Sequence, residues 1–223
     1  MAYSIKDFVD LTVEQRAVLE AFGRDDALCK TFYFTGGTLL KALGIVPRIS
    51  NDLDFFTFPG VDSRAFLAQR KKVYTLLVKI FGEENIHATE DAYTHRPSSM
   101  VIDLVIENIS LIDQVTAFGR LNTAGLDDIT AGKAAALCSR DEIKDYIDIA
   151  FLTQRANLHL ADLENLAERK YGLGTITEEK LLAELVAKRE QFVFLEKIFL
   201  RDAQKHISFV QSQIATLIDQ TTV

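Results

Sequence analysis

One run of sequence, Met100-Val101-Ile102-Asp103-Leu104-Val105-Ile106, is almost continuously apolar and rich in β-branched residues, yet a single acid interrupts it. A run of that kind reads as a strand buried within a sheet. Placing an ionised carboxylate among such residues is costly, and a chain tolerates it chiefly where a metal, a cationic partner or a raised pKa offsets the cost. Asp103 therefore calls for chemistry around it. The chain must supply a sheet that brings suitable groups to this strand.

Two earlier segments qualify. Thr31-Phe32-Tyr33-Phe34 is aromatic and extended in propensity, and it runs straight into Thr35-Gly36-Gly37-Thr38 and a short helix ending near Leu43. Two glycines between a strand and a helix let the backbone approach a ligand closely. The N–H groups that open the helix are free donors at the positive end of its dipole, which suits phosphate, and Thr38 adds a hydroxyl. After thirteen intervening residues comes Asp52-Leu53-Asp54, and Asp54 to Phe58 reads as a strand that Pro59-Gly60 stops. Residues two apart in a strand face the same way, so Asp52 and Asp54 are expected side by side, a repulsive pairing unless a cation lies between them. Hard carboxylate oxygens suit magnesium or manganese. A glycine turn beside Asp52, Asp54 and Asp103 meets the requirements of two-metal phosphoryl or nucleotidyl transfer.

The remaining pattern sets the architecture. Helical period runs from Leu11 to Phe22, with Thr12 placed as an N-cap, and from Ser63 to Phe81. Extended propensity returns over Ile86–Tyr93. After Gly125 every signal is helical: Asp127 and Asp128 open a helix to about Cys138, Asp141 opens another to about Arg155, and Leu158–Tyr171 and Thr177–Asp219 follow without strand signals. The expected fold is α/β (α+β), with a sheet-bearing portion over residues 1–125 and a helical lobe over residues 126–223.

Phe34-Thr35-Gly36-Gly37-Thr38, then Arg48-Ile49-Ser50-Asn51-Asp52-Leu53-Asp54-Phe55-Phe56, then Lys133 and Lys144-Asp145-Tyr146-Ile147-Asp148, resemble the AbiEii-type nucleotidyltransferase toxins of the polymerase-beta-like superfamily. The resemblance covers about residues 30–155. It implies that superfamily's mixed sheet flanked by helices, and transfer of a nucleoside monophosphate from an NTP to an acceptor hydroxyl. By the same resemblance Asp52, Asp54 and Asp103 hold magnesium (or manganese), with Asp103 helping to activate the acceptor. Gly36, Gly37 and Thr38 hold the phosphates, and Lys133 contacts the triphosphate or the pyrophosphate leaving group. An antitoxin partner is implied, with RNA the expected acceptor and a protein side chain second.

Other residues keep two readings. Arg48 is either a phosphate ligand or a surface cation pairing with Asp52, and Ser50 either a ligand or a turn residue. Ile129, Lys133, Ala136 and Leu137 share a helical face, which aims the Lys133 amine along the apolar side. Ile143, Ile147, Ala150 and Phe151 make a core face that leaves Asp145 and Asp148 opposite, solvated unless their helix lies across a cleft. Lys144 stands beside them. Arg70-Lys71-Lys72 is either a solvated face or an RNA contact. Phe192, Phe194, Phe199 and Phe209 are expected to pack helix on helix.

Composition narrows the function classes. No apolar stretch approaches the roughly 20 residues of a spanning helix, and Met1–Asp7 shows no secretory signal, so a cytoplasmic protein is expected. Cys29 and Cys138, the only two cysteines, support neither a disulfide framework nor a zinc site. A net charge of -7 argues against indiscriminate nucleic-acid binding and leaves room for a local basic patch. Haloacid-dehalogenase-like phosphatases and sugar-nucleotide transferases usually carry a paired acid motif at the end of an apolar strand, and here the order is reversed. A small-molecule nucleotidyltransferase of the antibiotic-modifying kind, or a non-catalytic module that binds nucleotide or a partner, are the alternatives.

Overall fold

The structure is a computed structural model that describes residues 4–90, 92–189 and 197–220. Two compact units are present. The first comprises residues 1–44, 50–110 and 114–125, and the second residues 45–49, 111–113 and 126–223.

The first unit is built on a seven-stranded mixed sheet ordered β3-β4-β5-β2-β1-β7-β6. Its strands are β1 (Phe32–Thr35), β2 (Leu53–Thr57), β3 (Ile86–Ala88), β4 (Ala92–His95), β5 (Met100–Val105), β6 (Thr116–Phe118) and β7 (Leu121–Thr123). β2 lies antiparallel to β1 and parallel to β5. Alternation along these strands separates two faces. Phe34, Leu53, Phe55, Ile102 and Leu104 are buried, while Asp54, Val101 and Asp103 between them are partly exposed.

The α-helices described in this unit are α1 (Val13–Gly23), α2 (Asp26–Thr31), α3 (Gly36–Ala42) and α4 (Ser63–Phe81). Thr12 caps α1 through a reciprocal bond with Gln15, as its sequence predicts. α1 packs its apolar stripe on the core face, where Phe22 stacks on Phe55 at 3.9 Å between ring centroids. α4 is amphipathic, with Val73 and Leu77 fully buried and Phe66 set edge-on to Phe32. In the second unit α5 (Leu126–Ser139), α6 (Ile143–Ala156), α7 (Leu160–Tyr171), α8 (Glu178–Lys188) and α9 (Ala203–Asp219) pack together, joined by a bridge between Arg48 and Phe199.

The mixed sheet with helices and the helical later portion agree with the sequence pattern. Differences are local. α2, capped by the Asp25 carboxylate, occupies a stretch that showed no helical period because six residues are too few to display one. β6 and β7 are three-residue strands, too short for alternation to register. Ile86–Tyr93 is a hairpin rather than one strand. Thr177–Asp219 is not one helical stretch, since Phe199 pairs with Arg48 between α8 and α9. Phe209 packs on Phe151 at 4.7 Å, while Phe192 and Phe194 lie outside the described residues.

The aromatic core yields a stability test. Phe55→Ala should destabilise the chain by about 3–5 kcal/mol, because the cavity between Phe22 and Phe34 cannot collapse fully. Val13→Ala, at a position 83% exposed, should change stability by no more than about 0.5 kcal/mol. Urea denaturation of both variants checks this, and similar midpoints would contradict the packing.

Candidate active site

The sheet register brings two of the three sequence-selected acids together. Thr35 pairs with Asp54 across β1 and β2, and Asp54 pairs with Asp103 across β2 and β5, so the three side chains form one row on the face away from Phe55. Neighbouring strands lie about 4.8 Å apart, so two like charges are held close by backbone hydrogen bonds rather than by mutual attraction. Asp52 stands one residue before β2, so the ladder does not orient its side chain. To the expected neighbour Asp52 the register adds a cross-strand pairing of Asp54 with Asp103. Among the described residues no group of three or more His, Cys, Asp or Glu side chains forms a metal-holding cluster. The Asp54 and Asp103 pair nevertheless offers hard oxygen donors on one face, a donor set that fits a divalent cation.

The glycine turn meets this row directly. Gly36 opens α3 at φ +79°, and a Cβ added there would fall 1.9 Å from an Asp54 carboxylate oxygen. Only glycine fits, by conformation and by space. Gly37 follows in the first turn of α3, where Thr35 supplies no side-chain cap.

A buried polar cluster fixes the loop that leads to the acids. Fully buried Thr38 donates its hydroxyl to Ser50 Oγ at 2.9 Å. The Ser50 carbonyl accepts from Lys41 Nζ at 2.7 Å and from Gln15 Nε2 at 3.0 Å, and Lys41 Nζ also donates to Gln15 Oε1 at 3.0 Å. Thr38 and Ser50 are therefore each other's partners, two residues ahead of Asp52. Sequence reasoning missed Gln15 and Lys41. The available signal was a lysine inside the apolar run Leu39-Leu40-Lys41-Ala42.

Arg48, Lys133, Lys144, Asp145 and Asp148 belong to the second unit. Lys133 Nζ lies 2.8 Å from Asp145 and 2.8 Å from Asp148. Arg48 forks onto Asp148 at 2.6 and 2.7 Å, and Arg140 onto Asp145 at 2.7 and 2.9 Å. Three cations meet two carboxylates, leaving one positive charge in excess within these five side chains. Burial alone would raise the Asp145 carboxyl, but the bonds from Arg140 and the Lys133 charge outweigh it and hold the group below the ordinary aspartate value of 3.8. Burial alone would likewise lower Lys133, and the charges of Asp148 and Asp145 instead lift it above the ordinary lysine value of 10.5.

The model of the family described as "Nucleotidyl transferase AbiEii toxin, Type IV TA system" matches residues 17–216. The chain belongs to this family. As an AbiEii-family member it is a nucleotidyltransferase of a toxin–antitoxin family, and the match extends well beyond the residues 30–155 that carry the motif resemblance. The chain is 29% identical over 163 residues to "Uncharacterized protein aq_aa25" of Aquifex aeolicus (strain VF5), covering 72% of this chain and 76% of that protein. Its fold is similar to that of JHP933 from Helicobacter pylori, with a TM-score of 0.52, 14% identity, and coverage of 93% of this chain and 90% of that one.

Three readings of this AbiEii-family chain change. Asp145 and Asp148 are not solvated: both are fully buried, because α5, α8 and α9 all pack on α6 and leave it no solvent face there. Arg48 is not a surface cation. It is 3% exposed and bound to Asp148. Lys133 does point inward, as Ile129 and Leu137 on its face require, yet its ammonium meets two carboxylates. Lys144 is partly exposed and lies 3.3 Å from Glu142.

These ion pairs make stability depend on pH at both ends. Asp145, depressed in the fold, contributes fully above the ordinary aspartate value and loses its contribution as pH falls through its lower folded value. Lys133, raised in the fold, contributes fully below 10.5 and loses its contribution as pH rises through its higher folded value. Asp145→Asn should cost about 3–5 kcal/mol near neutrality, since it leaves the buried Lys133 ammonium short of a partner. The gap from wild type should narrow in strong acid. Thermal melts across pH test this, and equal melting of the two proteins at neutral pH would contradict it.

Proposed function

We propose that this nucleotidyltransferase is magnesium dependent and moves a nucleoside monophosphate from an NTP to a hydroxyl of RNA. It acts as a toxin in the cytoplasm, where its nucleotide substrate is found, and a cognate antitoxin counteracts it. Among the described residues no helix is long and apolar enough to cross a membrane. The observation that carries the reading is the registered pair Asp54 and Asp103 set against the turn at Gly36, inside the family match.

Asp54 and Asp103, joined by Asp52 from the loop, would hold the magnesium, for which manganese could substitute. When bound there, the ion would supply neutralisation of charge on the phosphates and the leaving group. Gly36 and Gly37 let the backbone come close to the phosphates, and the Thr38 hydroxyl keeps the Ser50 loop in place behind them. In the transfer, the acceptor oxygen forms a bond to the α-phosphorus, the bond from that phosphorus to the bridging oxygen breaks, and pyrophosphate departs with the electron pair. Asp103 receives the acceptor's proton. For Lys133 the observations support a structural duty, because its ammonium is committed to Asp145 and Asp148.

The test is incubation with each α-labelled NTP, magnesium and total cellular RNA. Wild type should label RNA. Asp54→Asn, which keeps the side-chain shape and removes the charge, should lose at least about a hundredfold of that transfer with an unchanged far-ultraviolet spectrum. Wild-type expression should slow bacterial growth, and Asp52→Asn should not. Full transfer by Asp54→Asn would refute the metal reading, and label confined to a small hydroxylated compound would move the acceptor from RNA to a small molecule.

A further inference from the structure

α4 concentrates charge of one sign. Over its nineteen residues, Ser63–Phe81, it carries Arg64, Arg70, Lys71, Lys72 and Lys79 and no acid, in a chain whose net charge is -7. An ordinary solvated helix intersperses both signs. On this helix a cavity of about 280 Å³ opens between Leu67, Arg70, Lys71 and Tyr74 of α4 and Thr89 and Tyr93 of the β3–β4 hairpin. No acid lines it.

The walls are built and held. Arg70 lies over the Tyr93 ring, 5.0 Å from its centroid, and donates to the Thr89 carbonyl. The Tyr93 hydroxyl donates back to the Arg70 carbonyl at 2.9 Å, and the Tyr74 and Tyr93 rings lie 5.7 Å apart. Leu67, 60% exposed, supplies apolar surface at the mouth of the cavity. Lys72 pairs with Asp25 at 2.7 Å, so Lys71 beside it is the lysine at the cavity.

An aromatic and apolar wall beside Arg70 and Lys71 matches one ligand chemistry, a planar base joined to a phosphate. A single strand offers both together, because its unstacked bases can enter a pocket while its backbone follows the charges. The stacked pairs of a duplex cannot enter an opening of this size. We propose that α4 and the β3–β4 hairpin dock a single-stranded segment of the RNA acceptor, with a base against Leu67 and Tyr74 and a phosphate on Lys71 and Arg70. The proposal rests on the RNA-acceptor reading above and adds where the strand is gripped. Glu83, which accepts from the Tyr74 hydroxyl at 3.3 Å, and Glu90, next to Thr89, border the cavity, so the contact is confined to a few phosphates.

Fluorescence anisotropy with the full-length protein and a labelled single-stranded RNA dodecanucleotide, without NTP or metal, tests it. Binding should weaken with salt at a slope of roughly -0.7 to -1.4, as one or two phosphate contacts require. Lys71→Glu and Tyr74→Ala should each weaken binding about tenfold. Lys79→Glu makes the same charge change on the same helix outside the cavity and should weaken binding less than about twofold, because salt screens it there. The rise in melting temperature with NTP and magnesium should be the same in Lys71→Glu as in wild type. Equal weakening by Lys71→Glu and Lys79→Glu would reduce the cavity to a general charge effect and overturn the proposal, as would absence of binding. RNA binding that depends on Lys71, with no melting response to NTP and magnesium, would uphold the dock and count against the transfer reading alone.

Discussion

The position of β2, antiparallel to β1 and parallel to β5, is the constraint on which the first unit depends. One ladder sets Thr35 against Asp54 and the other sets Asp54 against Asp103. A slip of one residue in either would turn the acids into the core and expose Phe55 or Ile102, so burial of the aromatic face enforces the geometry of the acid face. Gly36 follows from the same constraint: α3 begins where β1 ends, directly over the Asp54 carboxylate, and no side chain larger than hydrogen fits there.

The two units handle charge in opposite ways. In the first, backbone pairing holds two carboxyl groups together and leaves them partly exposed. The second encloses Arg48, Lys133, Asp145 and Asp148 in a helical core, with Arg140 reaching Asp145 from the surface; desolvation would forbid the four singly, and good geometry with several bonds per group offsets the cost. Arg48 and Asp148 are 100 residues apart in sequence, so their contact ties the segment between β1 and β2 into the helical unit. Ion pairs of this kind add little net stability relative to an apolar core, yet removal of one member leaves the others stranded. That asymmetry makes Lys133 and its aspartates sensitive positions whether or not they meet a ligand.

Much of the site could be read before the fold was known, because the signals were local. A strand ending in Gly36-Gly37 and a lone acid in a β-branched run each have a short-range physical meaning, and Asp54 and Asp103 meet as neighbours on adjacent strands. Pairings that depend on tertiary packing were not legible. Asp145 and Asp148 looked solvated because a single apolar stripe implies one core face, whereas α6 is surrounded. Arg48 gave no hint of a partner so distant, and Lys41 and Gln15 gave none of the shared carbonyl at Ser50. Asp52 precedes β2, so the ladder leaves its orientation to the loop, whereas Asp103, on a strand about fifty residues later, is set against Asp54 by the register.

The central claim, that Asp54 and Asp103 together hold a divalent cation used with nucleotide, is tested most directly by manganese binding, followed by electron paramagnetic resonance in the presence of a non-hydrolysable NTP. Wild type should bind manganese tightly. Asp54→Asn and Asp103→Asn should each abolish that binding, with the double variant no worse than either single one. Wild-type manganese affinity in Asp103→Asn would contradict the account, because the cross-strand pair would then be a structural coincidence.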